Sequence, residues 1–327
     1  MCIRDRCKRK VIVFDEFQNF WKVDKSVFSK LQKFCDENED SPLHIIILGS
    51  YIGLFKKIFQ NKKQPLYGRV KTKLRLQPLV LSSIVYMLKI LNYKKIEQEL
   101  EIYFIFGGFP KYYVAIEDFG LKNHRRALLV EELFVKENAP LENEVEELLK
   151  LEFGKRSSKY YALLAAIASG KNKLNEIAAY VGAKESSLTR QLNELEHEFE
   201  LIERHNPIFG KKISRYRIVH PLINFWFRFI YTKYSSYKLR DSAEIMKEIS
   251  SNIGGFDGRR FEEVCKEYII SNVHSMPFNI ELIGNWWGSI QENDERKPIE
   301  IDLVGANKKT SQIIFIECKW KNNVDPN

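Results

Sequence analysis

Apolar residues near the start of the chain form two short uninterrupted runs, and each run ends at polar residues. The first lies within Lys10–Phe14 and the second within Leu43–Leu48. Runs of this length that are rich in β-branched residues predict strands buried on both faces. Between them, Lys25–Cys35 has apolar residues at helical spacing. The pattern therefore predicts two parallel strands joined by a right-handed helical crossover.

Polar side chains follow both predicted strands: Asp15 and Glu16 after the first, and Ser50 after the second. In open α/β sheets, ligands bind outside the carboxyl ends of the strands. An aspartate there can hold a Mg²⁺ ion that bridges nucleotide phosphates, and a neighbouring carboxylate can orient an attacking water. The alternative is a strand followed by a solvated acidic turn. The predicted convergence with Ser50 makes the nucleotide interpretation more specific than either strand end alone.

The chain between Phe55 and Arg75 carries eight basic residues and no acidic one. A solvated face is the usual explanation of such a run, and contact with phosphate or nucleic acid is the functional alternative. Within the run, Pro65–Arg69 predicts a turn that holds Arg69 in a fixed place.

Composition narrows the class of protein. The 327 residues carry a net charge of +9 and are 44% hydrophobic, with a pI of about 9.1. This predicts globular domains that favour polyanionic partners such as nucleic acid or an acidic membrane surface. No apolar run approaches the roughly eighteen residues of a membrane span, and no apolar signal core precedes Asp15, so we expect a cytoplasmic protein. The five cysteines are scattered, which supports neither a disulfide framework nor a zinc site.

The segments VIVFDEFQNF, HIIILGSYIG, PLYGRVKTKLRLQPL and GGFPKYY resemble a family of prokaryotic, archaeal-type P-loop ATPases related to the AAA+ and STAND groups. The resemblance implies that Asp15 binds the Mg²⁺ of a bound ATP and that Glu16 acts on the attacking water. It further implies that Ser50 is a sensor of the γ-phosphate or the water and that Arg69 lies near phosphate.

Members of that family need a glycine-rich phosphate loop upstream of these segments. The sequence contains no such loop, and Ser169–Asn172 is its nearest approximation. We therefore expect the sequence to begin part-way through a longer protein. We also expect the chain as it stands to bind ATP weakly or not at all, because the backbone N–H groups and the lysine that cradle phosphates are missing.

The middle of the chain predicts helices followed by a two-stranded hairpin. Leu79–Lys150 is mostly helical in pattern, and the resemblance places its Gly107–Pro110 turn in a helical lid. Three short helices between 160 and 198, then strands at 201–205 and 214–219, predict a winged helix-turn-helix. DNA is a possible partner, with contacts predicted at Arg190, Lys211 and Lys212. The glutamates of the third helix oppose this, and such modules also bind proteins.

The tail places acidic residues where a metal could assist phosphodiester cleavage. Glu317 and Lys319 are two residues apart on one predicted strand, Asp302 lies on the strand before it, and Glu262 lies on a helix. Carboxylates in such a group can hold one or two Mg²⁺ ions. The alternative is an exposed hairpin face with cross-strand pairing of Asp302 with Lys319.

This segment resembles the PD-(D/E)xK nuclease superfamily and the domain of unknown function that follows the winged helix in the same ATPases. The resemblance implies Asp302, Glu317 and Lys319 as core residues, with Glu262 as an accessory metal ligand. Active nucleases continue with a helix and a strand after the lysine. We therefore expect a truncation here too, and little activity of the chain as it stands.

Together these patterns predict an α/β multidomain protein. Residues 1–80 would form the second half of a P-loop NTPase parallel sheet, 81–150 the lid, 151–235 the winged helix and 236–327 a truncated restriction-endonuclease-like α/β domain. Three functions stay open: an ATP- and Mg-dependent, DNA-associated ATPase, a Mg-dependent nuclease regulated by the ATPase, and a non-catalytic STAND-like switch that binds a protein partner. The sequence predicts no oligomeric state.

Overall fold

A parallel pair of strands stands at the start of the fold. In the computed structural model, which describes residues 10–39, 42–154, 157–210, 213–231, 242–292 and 295–321, β1 (Lys10–Phe14) pairs in parallel with β2 (Leu43–Ile47). The connection contains a short helix, α1 (Phe20–Val23), and a longer one, α2 (Ser26–Glu37). The predicted parallel pair with a helical connection is confirmed.

Most of β1 is exposed, so the prediction that these strands are buried on both faces is wrong for the described chain. Val11 and Val13 are 56% and 54% exposed. The reason is that the core beside the pair covers only its carboxyl end. That core, built partly from α2 and α3 (Ile52–Gln60), contains Phe17, Phe28, Ile58, Phe59 and Leu66.

Helices make up the next part of the chain, as predicted for 79–150. An exposed stretch without regular secondary structure, 71–80, leads into them. Gly108 lies tightly against the end of that stretch and accepts a 2.8 Å hydrogen bond from Leu79 N. The helices are α4 (Leu81–Ile90), α5 (Ile96–Phe106), α6 (Pro110–Asp118), α7 (Arg126–Val130) with a π-helical turn at Glu131–Val135, and α8 (Glu144–Phe153).

Three helices and a hairpin follow, and we call residues 157–218 the helix-and-hairpin unit. Gly182 ends the second helix with φ of 66°, a conformation that favours glycine. The hairpin strands are antiparallel. The elements are α9 (Ser157–Ala168), α10 (Leu174–Val181), α11 (Glu185–Asn193) with a π-helical turn at Glu194–Glu198, β3 (Ile202–His205) and β4 (Arg215–Ile218). This order matches the prediction, and the classification as a winged helix stays a prediction.

One large core joins helices α4–α8, the helix-and-hairpin unit and the start of the tail. The aromatic helix α12 (Pro221–Phe229) lies at its centre, and Phe225, Trp226 and Phe227 are at most 1% exposed. These aromatic side chains therefore pack in a core and do not offer faces on which bases could stack.

The tail consists of two helices, α13 (Ser242–Asn252) and α14 (Gly254–Ser271), and an antiparallel sheet. Its strands are β5 (Leu282–Glu292), β6 (Glu295–Asn307) and β7 (Gln312–Ile316), in the order β5-β6-β7. β5 is continuous and has a bulge between Gly284 and Trp286. The predicted last strand is too long: β7 ends at Ile316, so Glu317 and Lys319 follow it.

Among the helices that the structure describes, none has the combined length and apolar character required for a membrane span.

Candidate functional site

Glu16 and Ser50 meet at the carboxyl ends of β1 and β2. The Ser50 hydroxyl lies 2.9 Å from each carboxylate oxygen of Glu16, to which it donates a hydrogen bond. Parallel pairing continues just beyond the strands, where Leu48 N donates to Phe14 O over 2.8 Å. This pairing brings the two polar ends together. The predicted convergence of these side chains is therefore present in the structure.

The backbone at Glu16 has an uncommon conformation. Its φ is 47° and its ψ is 41°, which is left-handed and sparsely populated by residues other than glycine. The Glu16 N–H donates to Asp15 Oδ1 over 2.9 Å, and the Gln18 side-chain amide donates to the Glu16 carboxylate. Local strain of this kind is often found at functional sites. Here it turns the Glu16 carboxylate towards Ser50.

More carboxylates approach this edge from α8, a helix that sequence reasoning did not connect with the site. Burial, followed by the charges of Glu16, Glu152 and Glu144, raises the pKa of the Tyr51 hydroxyl, and a hydrogen bond with the Ser50 side chain opposes the rise. Carboxylates of α8 thus act electrostatically on the residue that follows Ser50. No local pattern could have revealed this, because the partners are about a hundred residues apart in sequence.

Arg69 is held in a turn, as predicted, but its partner is Asp36. Its Nε and Nη2 donate to the two carboxylate oxygens of Asp36 over 2.7 and 2.9 Å. Its Nη1 donates to the carbonyls of Pro65 and Tyr67. Among the described contacts of Arg69, none is with the Glu16–Ser50 pair. Its position near phosphate stays a prediction.

Part of the basic run contacts other parts of the chain. Lys56 and Arg75 both form ion pairs with Glu200, and Lys56 also donates to the His197 carbonyl over 2.6 Å. Lys57 lies over the ring of Trp21, 4.7 Å from its centroid. Several charges of the run therefore have partners within the protein.

Glu262 and Asp302 interact electrostatically in the tail. Burial, then the charges of Asp302 and Glu300, raises the pKa of Glu262 to about 7. Asp302 Oδ2 accepts a 2.8 Å hydrogen bond from Cys318 N, which holds the segment after β7 beside this carboxylate. Lys319 pairs with Glu317 within that segment. Within the described residues, no group of three or more His, Cys, Asp or Glu side chains is arranged to hold a metal ion.

The predicted nucleic-acid contacts are less free than the sequence suggests. Arg190, 78% exposed, pairs with Glu194 over 3.0 Å. Lys211 and Lys212 lie outside the described residues. The hairpin arginines have acidic partners, since Arg217 binds Glu203 and Glu263, and Arg215 binds Glu300.

The hairpin also docks on the tail sheet. Ile208 N donates to Asn285 O over 3.0 Å, and the Trp287 indole N–H donates to Ile213 O over 2.9 Å. Arg215 lies 4.4 Å above the Trp287 ring. The loop between β3 and β4 is thus an internal contact surface for the tail.

These features define a mixed α/β protein with a carboxylate–serine site at the end of a parallel strand pair. The chain is 33% identical over 329 residues to the uncharacterized protein MJECL04 of Methanocaldococcus jannaschii, covering 97% of this chain and 69% of that protein. It therefore belongs to the same protein family as MJECL04. Residues 226–326 match the DUF234 family, described as archaea bacterial proteins of unknown function.

A solved structure with partial similarity is the Walker-type ATPase PABY2304 of Pyrococcus abyssi. The match has a TM-score of 0.46 and 21% sequence identity. It covers 67% of this chain and 63% of the other, so this chain spans less than two thirds of that ATPase.

Proposed function

We propose that the Glu16–Ser50 site binds Mg²⁺-ATP and hydrolyses it, as in AAA+-like and STAND-like ATPases. The observation that carries this proposal is the pair of 2.9 Å hydrogen bonds between Ser50 and Glu16 at the ends of two parallel strands. This is the edge at which open α/β sheets bind their ligands. The left-handed backbone of Glu16 supports it further, because strain there aims a carboxylate at the site.

Each residue has a distinct role in this proposal. Asp15 would hold Mg²⁺, which takes oxygen ligands, keeps several waters and neutralises charge on the transferred phosphoryl group. Glu16 orients the attacking water and accepts a hydrogen bond from it. Ser50 fixes the Glu16 carboxylate and can donate to phosphate instead. Arg69 reaches a phosphate only by leaving Asp36, so its role requires a rearrangement.

ATP hydrolysis by the protein expressed from its complete gene tests the proposal. Glu16→Gln keeps the shape and the hydrogen bond from Ser50 but removes the charge, so we expect kcat to fall about 100-fold or more while ATP still binds. Glu37→Gln is the matched control, because Glu37 is an exposed carboxylate on α2 and its loss leaves kcat unchanged. Hydrolysis at the wild-type rate by Glu16→Gln would refute the assignment.

A second candidate function is Mg²⁺-dependent DNA cleavage by the tail. The observation that favours it is the 2.8 Å hydrogen bond from Cys318 N to Asp302, which holds the segment that carries Glu317 and Lys319 beside a carboxylate whose charge also acts on Glu262. Cleavage of plasmid DNA with Mg²⁺ or Mn²⁺ tests it. We expect Asp302→Ala to abolish cleavage and the exposed Glu295→Ala to leave it unchanged. Equal cleavage by wild type and Asp302→Ala would refute it.

DNA association through a winged helix is the remaining part of the proposal. The exposed Arg190 on α11 is the best position at which to test it, and we expect Arg190→Glu to weaken binding to duplex DNA. Lys122→Glu, in the proposed lid, is a control with the same change of charge. Unchanged affinity of Arg190→Glu would exclude α11 from a DNA groove. If both enzymatic assays are negative, a STAND-like switch that binds a protein partner is the better description.

A further inference from the structure

Helix α3 begins two residues after Ser50, and its first turn is bound by the Glu152 carboxylate of α8. Gly53 N, in the first turn of α3, donates to Glu152 Oε2 over 3.2 Å. The first N–H groups of a helix lack partners within the helix, and a carboxylate there also interacts favourably with the helix dipole. Glu152 therefore fixes the start of α3, two residues after Ser50.

The close approach at this point requires the glycine. A Cβ atom on Gly53 would lie 2.8 Å from a ring carbon of Phe199 and 2.9 Å from Glu152 Oε2. One turn further along α3, Lys56 contacts the His197 carbonyl and Glu200. The beginning of α3 is thus fixed between α8 and the helix-and-hairpin unit.

Glu152 is held in this place against an electrostatic cost. Burial raises the pKa of Glu152 to about 7, although the N–H groups of Gly53 and Ile52 and the charge of Lys56 oppose the rise. A partly buried carboxyl group is unfavourable unless hydrogen bonds compensate it. Here the compensation comes from the backbone that follows Ser50.

We propose that Glu152 is a positioning residue for the Glu16–Ser50 site, through which the helix-and-hairpin unit responds to the ligand bound at that site. This inference rests on the proposed ATPase function. A ligand that draws the Ser50 hydroxyl away from Glu16 displaces the backbone that leads directly into the amide bound by Glu152. Because α3 is also in contact with Phe199 and Glu200, the displacement reaches the helix-and-hairpin unit. Such coupling is reciprocal, so a change at Glu152 also alters ligand affinity.

Amide hydrogen exchange with and without Mg²⁺-ATP, in the protein expressed from its complete gene, tests this inference. In wild type we expect ATP to change exchange in residues 52–56 and also in 194–200. Glu152→Ala should raise exchange of the Gly53 amide about 10-fold without nucleotide and abolish the ATP effect at 194–200 while ATP still binds. Glu152→Gln should restore most of the protection, because its amide oxygen can accept the same hydrogen bonds, and a merely space-filling role predicts no such rescue. Glu147→Gln, an exposed carboxylate on the same helix, is the control.

Two results would overturn the inference: unchanged Gly53 exchange in Glu152→Ala, or an ATP effect at 194–200 that persists in that variant. Failure of the proposed ATPase function looks different. A wild-type protein that binds no ATP refutes the nucleotide site and the coupling to it. The nucleotide-free comparison of wild type with Glu152→Ala then still decides whether Glu152 fixes α3.

Discussion

The ion pair between Arg126 and Asp257 joins α7 to α14 of the tail and gives a sharp prediction. Arg126 Nη1, at the start of α7, lies 2.7 Å from Asp257 Oδ1 on α14, and the two side chains are only 13% and 4% exposed. Glu101 approaches Arg126 at 3.7 Å and is more exposed. Asp257→Ala therefore leaves a guanidinium group buried with only a distant, partly solvated partner.

The expected magnitude follows from this burial. Removing one member of a buried pair leaves an uncompensated charge and costs about 3–5 kcal/mol. Because Glu101 remains, we expect Asp257→Ala to lower the free energy of unfolding by about 3 kcal/mol. Burial raises the pKa of Asp257 despite the charge of Arg126 and its hydrogen bond, so desolvation of the carboxylate outweighs the attraction. The combined replacement Arg126→Met with Asp257→Leu should accordingly stay within about 1 kcal/mol of wild type.

Urea unfolding followed by tryptophan fluorescence measures these differences in a double-mutant cycle. The exposed pair Lys122–Glu117 provides a matched control, because its side chains are 41% and 51% exposed and its removal should cost less than about 1 kcal/mol. A loss below about 1 kcal/mol for Asp257→Ala, or simply additive effects of the two single replacements, would show that this pair is not buried as described.

Three further predictions concern single positions. Gly182→Ala should lower stability by about 1–2 kcal/mol in thermal unfolding, because φ is 66° and a Cβ there meets no other atom within 4 Å, so only backbone strain contributes. Trp287→Ala should cost about 3–5 kcal/mol and raise proteolysis of the β3–β4 loop, since the indole is 7% exposed and binds Ile213 O; intact resistance to protease would contradict the docking. Burial raises the pKa of Glu152 from its ordinary 4.5 to about 7 in the folded state. The charged or titratable groups that face Glu152 are Lys56 and Tyr51. Between pH 4.5 and pH 7 the folded state therefore binds a proton that the unfolded state has released, so the free energy of unfolding falls by at most about 3 kcal/mol as the pH rises through this range. Urea unfolding between pH 4.5 and 8 measures this dependence, and we expect Glu152→Gln to lack it.

Local sequence pattern accounts for the elements but not for their irregularities. Helices α4–α8 and the helices of the helix-and-hairpin unit follow apolar spacing, and glycines such as Gly182 mark helix ends. The bulge in β5 has no local sequence signal of its own, because polar Asn285 resembles a turn residue. Its side-chain amide donates to Asp302 O over 2.6 Å, and its carbonyl accepts from Ile208 N. Both partners are distant in sequence, so a tertiary contact decides the conformation.

The candidate site likewise combines contacts that local sequence predicts with contacts that depend on tertiary packing. Glu16 and Ser50 could be predicted to meet, because the ends of adjacent parallel strands lie at one edge of a sheet. Glu152 could not, because its contact with Gly53 spans 99 residues and depends on how α8 packs on α3. For Arg69 the turn was predictable, while the choice of Asp36 as its partner depends on the position of the end of α2.

The contacts of the hairpin set a condition on any DNA binding by this protein. Arg215 and Arg217 are engaged by Glu300, Glu203 and Glu263, so they can reach phosphate only by leaving carboxylates, two of which belong to the tail. Each exchange replaces one ion pair with another, and its net gain is therefore small compared with that of a free arginine. Binding of DNA through the hairpin would therefore require its arginines to release the carboxylates of the tail. Binding of DNA through α11 would not require this. For this reason Arg190, whose partner Glu194 lies on the same helical segment, distinguishes the two cases better than any hairpin residue.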